Sequence, residues 1–127
     1  MEEADRPLSA EVLWEGDSLE VLRGFPKSIT RSLGREIQRL QEGERPLDSR
    51  PMQSIGQGVF ELRQADKDGW YRVIYLRKVG SRLFVLHSFV KKSAKTSAKD
   101  LSIARFRLQA VQARLLEEKK DAKKRNK

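Results

Sequence analysis

The chain has no cysteine and a single histidine among its 127 residues. The first absence excludes disulfides and thiolate metal sites, and the second argues against a zinc site built from protein side chains alone. No metal and no small-molecule cofactor is therefore expected. Long hydrophobic runs are missing too: none approaches the ~20 apolar residues of a bilayer-spanning helix. The acidic, polar start at Met1-Glu2-Glu3 lacks the pattern of a secretory signal. A soluble cytoplasmic protein without a membrane partner is the expectation. No internal repeat, glycine-rich phosphate loop or nucleophile–base motif is present.

What is abundant is charge, and it is unevenly placed. Charged residues make up 35% of the chain, with a formal net charge of +9. Residues 1–50 carry 8 basic and 11 acidic side chains, a balance of −3, whereas residues 51–127 carry 19 basic and 7 acidic, a balance of +12. Such asymmetry points to an anionic partner for the second half, against the plainer reading of a solvated basic surface.

The positive half begins with the stretch that organises the chain, residues 58–95. Gly58-Val-Phe-Glu-Leu-Arg63, Gly69-Trp-Tyr-Arg72-Val-Ile-Tyr-Leu76 and Leu83-Phe-Val-Leu-His87-Ser-Phe-Val-Lys91-Lys92 are short aromatic and β-branched runs bounded by turn residues. They read as three consecutive antiparallel strands. Asp68-Gly69 suits a tight turn with positive φ at the glycine, and Gly80-Ser81 centres the second turn. Strict alternation puts Phe60, Leu62, Tyr71, Val73, Tyr75, Phe84 and Leu86 on a face buried against helices. The other, open face then gathers Arg63, Arg72, His87 and Lys91, with Lys92 and Lys95 just beyond the strand end. That cluster suits a polyanion.

Around the meander, residues 1–10 read as a flexible lead-in and Val12-Leu13-Trp14 as a first strand with Trp14 as an anchor. Asp17 is an N-cap candidate for a two-turn helix stopped near Gly24-Phe25. Pro26 opens a second helix whose stripe is Ile29, Leu33, Ile37 and Leu40, with Glu36 on its solvated surface and Gly34 placed for close packing. Gly43 ends it, and residues 44–57 read as an ordered loop. Ser97 and Asp100 form a capping box before a third helix with the stripe Leu101, Ala104, Leu108, Val111, Leu115. On this helix Arg105, Arg107 and Arg114 are solvated charge, and residues 117–127 form a basic, unstructured tail.

The order β-α-α-β-β-β-α, with Phe60-Glu-Leu-Arg63, Trp70-Tyr-Arg72-Val-Ile-Tyr75, Leu86-His-Ser-Phe-Val-Lys91-Lys92 and Lys95-Thr96, resembles the RelE/ParE superfamily of toxins. The nearest likeness is to its phage-derived HigB-like branch. The resemblance covers about residues 11–116 and implies an α+β, RelE-like fold with helices packed on a mainly antiparallel sheet. It further implies ribosome-dependent cleavage of messenger RNA and neutralisation by a helix-turn-helix, HigA-like antitoxin. The alternatives are a non-catalytic ParE-like inhibitor of a protein target such as gyrase, a basic RNA-binding module, or a phage structural or regulatory protein.

Metal-independent RNA cleavage uses the 2′-hydroxyl as nucleophile and needs a base, an acid and cations for the phosphate. Arg63 and Arg72 suit the last role, since a guanidinium stays protonated and forks onto phosphate oxygens. Lys91 and Lys92 are candidates for phosphate binding or for a base, and Lys95 for RNA binding. His87 has the ordinary pKa range for acid–base work, although a strand histidine is also commonly a packed one. Trp70 and Phe89 are candidates for stacking on bases, with core burial as their other use.

Overall fold

The structure, a computed structural model, describes residues 9–93 and 95–125. Most of the expected lead-in, residues 1–8, lies outside them. The elements are β1 (Glu11–Trp14), α1 (Ser18–Arg23), α2 (Lys27–Gln41), β2 (Ser49–Pro51), β3 (Val59–Asp66), β4 (Gly69–Val79), β5 (Arg82–Lys91) and α3 (Ala98–Arg125). One five-stranded sheet runs in the order β1-β5-β4-β3-β2. β1 lies parallel to β5, and the remaining pairs are antiparallel. The architecture is thus α+β with a mainly antiparallel sheet. A short edge strand, β2, stands inside the segment expected as loop: Ser49, Arg50 and Pro51 pair with Leu62, Glu61 and Phe60. Three residues are too few to show a period.

Helices cover both faces of the sheet, which corrects the expectation of one open face. On one side α1 and α2 bury Leu22, Phe25, Ile29, Leu33 and Ile37 against Leu62, Tyr71, Val73, Tyr75, Leu83 and Val85. Trp14 packs at the margin of this core, as anticipated. On the other side α3 buries Ala104, Leu108 and Val111 against Val59, Ile74, Leu76, Phe84, Leu86 and Phe89. Strands apolar on both faces need covering on both.

Phe84 and Leu86 therefore lie under α3 and not with Tyr71, Val73 and Tyr75. The reason is a bulge. Ile74 pairs with His87 but the next residue, Tyr75, pairs with Val85, so Leu86 is the extra residue. Before the bulge, even-numbered residues of β5 face α3; after it, His87, Phe89 and Lys91 do. One inserted residue inverts the alternation on which a face assignment rests.

The β3–β4 turn is closed by Asp66, whose Oδ1 accepts hydrogen bonds from the backbone N–H of Asp68 (2.8 Å) and Gly69 (3.1 Å). Gly69 does not have the expected positive φ. It is glycine because a Cβ would stand 2.9 Å from the Lys91 carbonyl oxygen. Asp17 precedes α1 but makes no capping bond; its carboxylate reaches Arg107 at 2.8 Å. Glu36 is buried, not solvated, and accepts a hydrogen bond from the Leu47 N–H, which folds the 43–47 loop onto α2.

Helix α3 runs to Arg125, so the described part of the expected tail continues the helix. Ion pairs hold it. Arg107 meets Asp17, Arg114 meets Glu15 at 2.8 Å, and Arg82 forks onto Glu118 at 3.1 and 2.6 Å. Arg105 donates to the Ser54 carbonyl at 3.0 Å. None of these three α3 arginines is idle solvated charge.

Gly34 has no packing role that requires glycine. It lies in the middle of α2, exposed, and a Cβ added there would meet no atom within 4 Å, which overturns the expectation of close packing. Gly34→Ala is expected to stabilise the fold by about 1 kcal/mol through helix propensity. Urea titration should show a higher midpoint at an unchanged slope.

Candidate functional site

The α3 side of the sheet holds two polar networks, and β3, β4, β5 and the first turn of α3 supply them. In the register Glu61 stands opposite Ile74, Arg63 opposite Arg72, Arg72 opposite Phe89 and Trp70 opposite Lys91. Arg63, Arg72, His87 and Lys91 thus share a face, which alternation alone produces because His87 and Lys91 both lie beyond the bulge. The face is not open at Arg72.

The first network centres on Glu61 and Arg72, both 0% exposed. Arg72 Nη1 donates to Glu61 Oε1 at 2.7 Å and to the Thr96 hydroxyl at 3.2 Å. Thr96 in turn donates to Glu61 Oε2 at 3.1 Å, and Arg50 Nε to Oε1 at 3.1 Å. Both carboxylate oxygens are engaged, so the buried charge is matched in sign and in hydrogen bonds. Arg72 is consequently a scaffold for β2, β3, β4 and the segment before α3. It does not reach solvent as a phosphate clamp would.

The second network centres on Asp100. Its Oδ1 accepts from His87 Nε2 at 2.8 Å, and its Oδ2 contacts Lys91 Nζ at 3.1 Å and the Ser97 hydroxyl at 2.6 Å. Half of the expected capping box forms, since the Asp100 N–H donates to Ser97 Oγ at 3.2 Å. The carboxylate meets the Ser97 hydroxyl, not its backbone N–H, and shares itself with His87 and Lys91 of β5. Although burial opposes ionisation, the bonds from Ser97, His87 and Lys91 hold the Asp100 carboxyl below its ordinary range.

His87 is buried, 6% exposed, and stacked on Phe89 at 4.9 Å with an 18° interplanar angle. Its Nδ1 lies 3.4 Å from Arg107 Nη1. A guanidinium only donates, so Nδ1 accepts and the ring proton sits on Nε2, facing Asp100. Burial pushes the imidazole below its ordinary pKa; Asp100 pulls the other way, and the adjacent Arg107 adds to the depression. His87 is a neutral, fully engaged ring. Phe89, buried beside it, cannot stack on a base.

Cations that do reach solvent stand around these networks. Arg63 is partly exposed, with its guanidinium 5.5 Å from the Trp70 ring centroid and Nη2 3.6 Å from Asp48 Oδ1. Trp70 is half-buried, Lys91 half-buried, and Lys92 and Lys95 exposed. Glu61, Thr96, Asp100 and Arg107 were missed as site residues. The carboxylates were readable only as partners for the excess cations, and no local pattern marked Thr96 or Arg107.

A cleft of about 770 Å³ opens elsewhere, on the α2 side, lined by Leu40, Pro46, Leu47, Phe60, Tyr75 and Leu83 with Arg45 and Arg77 among its walls. It does not include any residue of the cation cluster. Among the described residues no group of three or more His, Cys, Asp or Glu side chains is arranged to hold a metal ion, and no helix is long and apolar enough to cross a membrane.

The family described as phage derived protein Gp49-like (DUF891) matches residues 20–109, from α1 into the middle of α3. The chain belongs to this family. No match is found among curated proteins or among solved structures. The Gp49-like family is a RelE-like toxin family, associated with toxins of toxin–antitoxin systems, and it points to an antitoxin partner. The matched span contains both polar networks and every cation of the cluster, and the five-stranded α+β architecture is consistent with a RelE-like fold.

Two stability outcomes follow. Glu61→Gln leaves the Arg72 cation buried without its counter-charge, and should cost about 3–5 kcal/mol in urea unfolding. For His87 the folded pKa lies below the unfolded value of about 6.5, so the unfolded chain binds the extra proton. The contribution of the neutral ring is complete above that value and is lost as pH falls toward the folded pKa. Unfolding free energy measured from pH 7 downward should therefore decline below about 6.5, and His87→Gln should remove that part of the decline.

Proposed function

We propose that this protein is a HigB-like toxin that cleaves messenger RNA on the ribosome by metal-independent attack of the 2′-hydroxyl. A helix-turn-helix, HigA-like antitoxin would neutralise it. The observation that carries this reading is the set of accessible cations at this sheet end: Arg63 against the Trp70 ring, Lys91 opposite Trp70 in the register, and Lys92 and Lys95 exposed in the segment leading to α3. Family membership adds that the relatives are toxins, and a toxin acting as an RNase is consistent with it.

In this proposal Arg63 and Lys92 contact the scissile phosphate and stabilise the charge that develops on it. Lys91, held by Asp100, supplies a fixed positive charge, and Lys95 extends the track along the RNA. Trp70 offers a half-exposed indole for a base, with the Arg63 guanidinium already against its ring. Arg72 and His87 act beneath the surface: one fixes β3 and β4 through Glu61, the other orients Asp100 and thereby Lys91. Both are positioning residues in this scheme.

The test is primer-extension mapping of mRNA ends on purified ribosomes. Arg63→Ala should lower the cleavage rate by about 100-fold or more, the usual effect of losing one transition-state cation, with circular dichroism unchanged. Lys92→Ala should lower it as well. His87→Gln, folded at pH 7, should cut at a reduced rate if it aligns Asp100, and an unchanged rate would leave it with packing alone. If the folded Arg63→Ala/Lys92→Ala protein cut at the parental rate, the site would be wrong. If the parent spared mRNA and inhibited gyrase, the ParE-like activity would replace this one.

A further inference from the structure

Helix α3 carries two apolar stripes, and the fold uses one of them. Leu101, Ala104, Leu108, Val111 and Leu115 face the sheet. On the opposite side Ile103, Phe106, Ala110, Ala113 and Leu116 follow at spacings of three, four, three and three. Phe106 is 73% exposed and Leu116 55% exposed, and the two alanines between them are exposed as well. At a rise of ~1.5 Å per residue the stripe from Phe106 to Leu116 is about 15 Å long. A surface helix normally keeps the side away from the core polar. Here that side offers a large aromatic and a leucine at its ends, with Ala110, Ala113 and the exposed Gln109 between them, so that another helix can pack closely along the alanines.

The borders of the stripe indicate what covers it. Lys99, Lys120 and Lys124 stand along it, Arg105 and Lys123 beside it, and all are exposed. Against them stand Glu117 and Asp121, because Glu118 is already forked onto Arg82. A second copy of the chain fits badly. Two-fold antiparallel pairing about the centre of the stripe would bring the lysines of one C-terminal half onto Lys99 of the other. Nucleic acid would use the lysines but not the Phe-Ala-Ala-Leu surface between them.

We propose that the outer face of α3 docks an acidic amphipathic helix of another protein. The partner's apolar stripe lies along Phe106, Ala110, Ala113 and Leu116, and its carboxylates meet Lys99, Arg105 and the lysines beyond residue 118. This is recognition by apolar anchors at helical spacing, with charge setting specificity and approach. It stands apart from the nuclease reading, since it uses none of the cations around Trp70.

The probe is a synthetic amphipathic peptide with leucines at helical spacing flanked by glutamates, alongside the same peptide with lysines in place of the glutamates. In NMR titration of the full chain, the glutamate peptide should shift the amide resonances of residues 103–120 and leave those of β3 and β4 in place. The lysine peptide should not bind. Phe106→Ser/Leu116→Ser, both at exposed positions, should weaken the glutamate peptide by about 10-fold or more with unchanged circular dichroism and cleavage activity. Equal binding of the two peptides, or unchanged affinity in the double variant, would overturn the proposal. So would a dimer seen by sedimentation without peptide that the same substitutions dissociate, or an RNA oligonucleotide that loses binding through them.

Discussion

The contact on which the rest of the α3 side depends is the buried pair of Glu61 and Arg72, 2.7 Å apart in adjacent strands. Two charges with no solvent access are tolerable only when hydrogen bonds replace the water they lose. Arg50 from β2 and Thr96 from the segment before α3 supply those bonds. The pair therefore ties the short edge strand β2 and the start of α3 to β3 and β4. With that start fixed, Asp100 comes within reach of His87 and Lys91. The second network is thus positioned by the first.

This division explains why the two arginines of the cluster have different fates. Arg63 and Arg72 are cross-strand neighbours with the same chemistry. Arg72 meets Glu61 beneath the beginning of α3 and becomes structure. Arg63 stands one strand nearer the β2 edge, against Trp70 and the exposed Asp48, and keeps part of its guanidinium in solvent. The same contrast separates His87 from Lys91: the ring is closed in by Phe89, Asp100 and Arg107, whereas the Lys91 side chain, though paired with Asp100, stays about a third exposed. Buried charge organises this face, and the accessible charge stays at its surface.

The molecule also keeps its surfaces apart. The α2 side has an apolar cleft walled by the loop that Glu36 holds down. The α3 side has the cation cluster at one end and, along the outside of the helix, an unpartnered apolar stripe. The Gp49-like family is associated with toxin–antitoxin systems, and separate surfaces would allow each contact its own chemistry. The ion pairs from α3 to Glu15, Asp17 and Arg82 keep the long helix against the sheet along most of its length.

Composition and periodicity determined much of this before any coordinates. The three strands, the stripes of α2 and α3, the turn at Asp66 and the gathering of Arg63, Arg72, His87 and Lys91 on one face all follow from local rules. These depend on side-chain direction and spacing, which the chain carries within a few residues. Which of those side chains would see solvent was decided only by tertiary structure. One extra residue at Leu86 exchanged the faces of β5, and the carboxylate of Glu61 and the hydroxyl of Thr96 engaged Arg72 in the interior. The carboxylates of Glu61 and Asp100 chose partners from other elements. Charge pairing and desolvation act through space, so sequence neighbours carry no record of them.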